Sequence, residues 1–156
     1  MTHRPADDPG ALDELVDAVL VSSRELVAVS ARSIAGVRGV TLPQYRMLVV
    51  LDRGSLNLSG LASELDVAPS TAMRMVDRLV VQGLVVREVH PEDRRQTWLV
   101  LTAAGRSTVN SVMERRRRDL RAVLARVSAD ERQSVLDGMT AFATAADSLW
   151  SSAPGP

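Results

Sequence analysis

The sequence predicts a mainly α-helical fold carrying one small β-hairpin, with long helices towards both ends of the chain. Three observations carry that expectation. Apolar residues recur at three- and four-residue steps through most of the 156 residues, the mark of amphipathic helices. One stretch, residues 84–101, changes instead to short β-branched and apolar runs around a polar centre. Between these patterns stand residues that start and stop helices, among them Thr41, Ser59, Pro69, Gly83, Thr102 and Ser128.

Taken in order, Leu12, Leu15, Val16, Val19, Leu20, Leu26, Val27 and Ile34 hold a helical period from Pro9 to about Val37, with Asp8 as cap and Gly36 or Gly39 as terminator. Thr41-x-x-Gln44 is a capping box for a helix that runs to about Asp52 and ends at Gly54. Leu61, Ala62 and Leu65 share one face of a short helix for which Ser59 is the expected cap, and Asp66-Val67-Ala68 leaves room only for a tight turn. Pro69, with its fixed φ and missing N–H, suits the first position of the next helix. On that helix Ala72, Met75, Val76, Leu79 and Val80 form the packing stripe, while Ser70, Thr71, Arg74, Asp77 and Arg78 form the polar face, with Met73 at the edge of that recognition face and expected to pack there and not to contact a base. Gly83 closes it by accepting a left-handed conformation. Residues 84–89 and 97–101 then pair as strands around the charged tip Pro91-Glu92-Asp93-Arg94-Arg95. Thr102 caps a long helix reaching about Arg126, and Ser128-x-x-Glu131 opens the last one.

Two short helices joined by a tight turn and followed by a charged hairpin make a winged helix-turn-helix, a device for reading duplex DNA. Ser70 and Thr71, in the first turn, can reach phosphate or base edges, and Arg74, one turn on, can offer a guanine two parallel N–H groups, with Arg78 extending the same face. At the hairpin tip, Asp93 can hold the Arg95 guanidinium extended by a forked ion pair, presetting it, with Arg94 beside it, for the electronegative minor groove.

Over roughly residues 41–106 the chain resembles the MarR family of bacterial transcriptional regulators. The resemblance is carried by Leu42, Gln44, Leu48, Leu61-Ala62, Leu65, Val67, Ser70-Thr71, Val76, Leu79, Gly83-Leu84, Asp93-x-Arg95 and Leu101-Thr102-x-x-Gly105. It departs at Ala68, where the family often has a capping serine, a loss of about 1 kcal/mol unless another group supplies the cap. The resemblance implies a homodimer that binds a pseudo-palindromic operator, represses a nearby gene and releases DNA when a small molecule binds. Length, composition and the amphipathic ends together suggest disordered tails at 1–8 and 151–156, an N-terminal dimerisation helix in 9–40, a DNA-binding region at 41–106 and C-terminal dimerisation helices in 107–150, all within one compact domain. The resemblance also sets Tyr45 and Arg46 at the border of an effector pocket. With one Tyr, one Phe and two Trp in the chain an aromatic cage is not expected, which favours an apolar pocket for a small lipophilic or aromatic acid.

Composition narrows the remaining classes. Nineteen basic residues, all arginine, balance nineteen acidic ones, so no whole-chain positive field argues for nucleic acid, and the DNA reading rests on where charges stand. Cysteine is absent, which excludes a disulfide framework or a thiol switch, and the scattered His and carboxylates give no metal-ligand spacing and no cofactor motif. No apolar run spans a membrane and the N-terminus lacks signal-peptide features, so a cytoplasmic protein is expected. Nucleophile elbows and phosphate loops are missing too, so the chain is not expected to be an enzyme. The Arg115–Arg118 run is expected to be a solvated helix face. The alternative to DNA binding is a winged-helix module that docks another protein through the same face.

Overall fold

The structure is a computed structural model that describes residues 9–37, 39–89 and 97–151. Among them the elements run α1 (Pro9–Ala35), α2 (Leu42–Asp52), α3 (Leu58–Leu65), α4 (Pro69–Val81), β1 (Val85–Val89), β2 (Thr97–Leu101), α5 (Ala103–Leu124) and α6 (Ala129–Ser151). This is the order the sequence predicts. The chain divides into two compact units, Met1–Arg116 and Arg117–Pro156.

Local chemistry explains most of the boundaries. Before α2, the Gln44 side-chain oxygen accepts from the Thr41 backbone N–H at 2.9 Å and from the Thr41 hydroxyl at 3.0 Å, tying down the helix start. The cap of α3 is Asn57 and not Ser59: its side-chain oxygen accepts from the Gly60 N–H at 2.8 Å. Both residues carry a suitable oxygen, but α3 begins at Leu58, so only Asn57 stands outside the helix with three residues of reach. The turn that follows places Asp66 at φ 52°, a left-handed conformation that aspartate tolerates better than most residues. From there the Val67 N–H reaches the Ala62 carbonyl at 3.0 Å, and α4 begins two residues later. At the start of α6, Ser128 and Glu131 bond side chain to side chain, as their spacing predicts.

The core of the first unit forms where α2, α3 and α4 meet the hairpin. Met47, Leu48, Leu61, Ala72, Val76 and Leu79 are fully enclosed, joined by Val85 and Leu99 from the strands and by Val109 and Val112 from α5. The antiparallel hairpin pairs Val85 with Leu101, Arg87 with Leu99 and Val89 with Thr97. A bridge between Leu56 and Leu99, with N–H···O distances of 2.8 and 3.4 Å, anchors β2 to the segment before α3. Only the last turns of α1 share this core, through Ile34 and beside the buried Ser33, whose hydroxyl donates to the Val29 carbonyl.

In the other unit α6 has no fully buried residue among those described; Leu136, Met139, Phe142 and Leu149 are all at least half exposed.

Candidate nucleic-acid interface

The helix-turn-helix and wing form around α4, whose register is set by its packing stripe. Ala72, Val76 and Leu79 are fully buried and Met75 and Val80 are half-buried against the core, which turns Ser70, Arg74, Asp77 and Arg78 outward. Thr71 is half-buried at the edge of that outer face. The Arg74 guanidinium lies one turn beyond Thr71, with Nη2 3.5 Å from the Thr71 hydroxyl, a long and weak contact. Met73, at the edge of the recognition face and expected to pack, is 46% exposed.

The two ends of α4 are held differently. At its N-terminus Ala68 supplies no side-chain cap, as its sequence predicts, so the cap residue itself offers no oxygen to the positive end of the helix dipole. The C-terminus is anchored by several bonds. Gly83, at φ 70°, lets its own N–H reach the Val80 carbonyl and the Leu84 N–H reach the Leu79 carbonyl, both at 2.9 Å, a Schellman closure. The Gln82 amide donates to the Gly39 carbonyl at 2.7 Å. The Thr102 hydroxyl donates to the Gly83 carbonyl at 2.7 Å while accepting from the Gly105 N–H at 3.0 Å, so the cap of α5 also grips the end of α4. Gly105 is needed there: a Cβ would stand 2.2 Å from the Leu84 carbonyl oxygen.

One further contact ties α4 to the hairpin, and sequence reasoning did not find it. Arg87 of β1 reaches back to Asp77, with Nη2 2.6 Å from Oδ1. Both side chains stay substantially exposed, at 42% and 55%, so the pair contributes about 0–1 kcal/mol to folding. Strand alternation held the signal, since Arg87 shares a strand face with the buried Val85 and therefore points towards the helix Val85 packs beneath. The wing-tip residues Asp93, Arg94 and Arg95 lie outside the described residues.

Elsewhere in this unit Tyr45 is 7% exposed, and its hydroxyl has no hydrogen-bond partner among the described residues. Burial raises its pKa above the ordinary tyrosine value; Arg116 opposes that rise and Asp52 adds to it. The neighbouring Arg46 is exposed. Of the arginine run, Arg116 is half-buried, whereas Arg117, Arg118 and Arg115 are exposed, as a solvated face would be, and Arg115 also has a neighbour. Its guanidinium lies against Gly36, with Nη1 1.7 Å from where a Cβ would stand, so only glycine fits at that position without displacing it. Among the described residues no three His, Cys, Asp or Glu side chains gather as metal ligands would, and no helix is long and apolar enough to cross a membrane.

Comparison with known proteins places this geometry. The model of the MarR family matches residues 38–96, from within the α1–α2 loop through the wing segment. A crystal structure of Rv1404 from Mycobacterium tuberculosis is similar at 43% identity and a TM-score of 0.78, over 86% of this chain and 93% of that one. The HTH-type transcriptional repressor MdtR of Bacillus subtilis is 36% identical over 90 residues, covering 57% of this chain and 56% of that protein. A mutant of MepR from S. aureus, bound to an oligodeoxyribonucleotide, shares the fold at 17% identity and a TM-score of 0.68, over 84% of this chain and 96% of its own.

Proposed function

This chain belongs to the MarR family of DNA-binding transcriptional regulators, and on that premise we propose that it is a cytoplasmic homodimeric repressor of a pseudo-palindromic operator. The observation that carries the reading is the outward polar face of α4, bearing Ser70, Arg74 and Arg78, fixed at its C-terminal end to the hairpin and to α5. A two-fold pair of such helices enters successive major grooves about one helical turn apart, with Ser70 and Thr71 on phosphate or base edges and Arg74 on a guanine. Arg95, held by Asp93, and Arg94 take the flanking minor grooves. The second copy covers the apolar residues that α1 and α6 leave exposed, Leu12, Leu15 and Leu20 on one and Leu136 and Phe142 on the other. The repressor named among the relatives and the DNA-bound neighbour that shares the fold support the same reading.

Release by a small lipophilic or aromatic acid completes the proposal, with Tyr45 and Arg46 bordering its site. The buried Tyr45 hydroxyl, without a hydrogen-bond partner among the described residues, favours it, because such a group gains from a ligand that supplies the missing bond. Binding shifts the spacing of the two reading helices away from that of the grooves. The test is a titration of the protein's own upstream region against random duplex at two salt concentrations. Arg74→Ala is expected to lose about 1–3 kcal/mol per half-site and relax specificity at one position, while Arg95→Ala weakens binding to all sequences and flattens the salt dependence. Equal affinity of the parent protein for both duplexes would favour the protein-docking module instead.

A further inference from the structure

We propose that Asp77 determines selectivity on the DNA-binding face: by holding Arg87 in an ion pair, it withholds that guanidinium from phosphates. This role rests on the DNA-binding reading above. Ser70, Arg74 and Asp77 follow one another at four- and three-residue steps, so the carboxylate stands on the outer line of α4 that faces the proposed groove. It is the sole acid of α4. Coulomb repulsion from DNA opposes a bare carboxylate at that place, but Arg87 neutralises it at 2.6 Å. Both partners remain open to solvent, so what the pair mainly sets is the charge presented to a ligand.

The arginine is the more informative half. Arg87 projects from β1 at the junction of reading helix and wing, where a free guanidinium would clamp a phosphate of any duplex. Phosphate contacts raise affinity for every sequence, whereas base contacts raise it for one. A guanidinium held by Asp77 adds little to random binding and leaves discrimination to the groove-facing residues. The same tie joins the middle of α4 to β1. In a chain whose formal charge is zero, one phosphate contact is a substantial part of the nonspecific attraction.

The experiment compares the full-length protein with Asp77→Asn, which keeps the shape and removes the charge, on a duplex selected by the parent protein from a random pool and on unselected duplex. Asp77→Asn is expected to bind unselected duplex about three- to tenfold more tightly at low salt, with a log–log salt slope steeper by about 0.9, the signature of one added phosphate contact. Its preference for the selected duplex falls by a similar factor. Arg87→Gln bares the carboxylate and is expected to move the other way, binding unselected duplex more weakly than the parent; the double variant returns close to the parent. Arg87→Gln also carries the test if Asp77→Asn does not fold. Unchanged or weaker binding of unselected duplex by Asp77→Asn, or a gain in that binding by Arg87→Gln, overturns the proposal while leaving DNA recognition standing. If the parent protein enriches no sequence from the pool, the underlying reading fails and this one with it.

Discussion

The helix-turn-helix lobe and the terminal helices use the same apolar residue types with opposite results. In the lobe, Leu48, Leu61 and Leu79 are 0% exposed, whereas Leu12 of α1, Leu136 of α6 and Leu149 of α6 are 62%, 59% and 63% exposed. Short elements that cross one another give each apolar stripe a wall to lean on, so α2, α3, α4 and the hairpin close a core from one chain. Long helices keep their period but find no such wall for it. The contrast teaches that helical periodicity reports which face is to be buried and is silent about which molecule buries it. A second copy is the cover proposed for those faces.

The sharpest way to break this comparison is to damage both regions alike. Leu48→Ala is expected to lower the unfolding free energy by about 2–5 kcal/mol in a urea titration, because it empties an enclosed site. Leu136→Glu combined with Phe142→Glu is expected to keep the helical circular-dichroism signal and convert dimer to monomer in light scattering; a mass unchanged from the parent would refute the cover. A smaller contrast uses glycines. Gly105→Ala drives a Cβ to 2.2 Å from the Leu84 carbonyl oxygen and is expected to destabilise by about 1–3 kcal/mol in thermal melts, whereas Gly138→Ala, with nothing within 4 Å, is expected to stabilise α6 by about 0.4–1 kcal/mol.

At the start of α3, Asn57→Ala is expected to lose about 1 kcal/mol in the same melts and Ser59→Ala almost nothing, which separates the cap observed from the one the sequence suggests. The smallest effect belongs to Tyr45, the chain's single tyrosine, whose ionisation can be followed alone by tyrosinate absorbance. Its folded pKa is raised, so the neutral form is favoured in the native state and the unfolded chain ionises first. Stability is therefore whole below the ordinary tyrosine pKa of about 10 and declines as pH rises from there through the folded value. A midpoint at or below that of free tyrosine would contradict the burial of this hydroxyl.

Much of the fold was legible because it is written locally. Thr102, Gly83 and the Thr41–Gln44 spacing act within a few residues of themselves, and each acts where its sequence placed it. The stripe Ala72, Val76 and Leu79 was legible for the same reason, and with it the outward position of Ser70, Arg74 and Arg78. The Asn57 cap was missed because two nearby residues offered equivalent oxygens and the choice depended on two residues of register. Contacts between distant segments were the least legible: Arg115 against Gly36 follows from packing that brings α5 beside the end of α1, which no local pattern encodes. The Asp77–Arg87 pair stood between these cases, hidden by sequence distance yet hinted at by strand alternation.

The Thr102 side chain carries a mechanical consequence. One oxygen serves as donor to the foot of the reading helix and as acceptor for the first turn of α5, and the Thr102 N–H bonds the Leu84 carbonyl at 3.1 Å between them. Swivelling either segment breaks bonds to the other, so the corner couples the base of α5 to the end of α4.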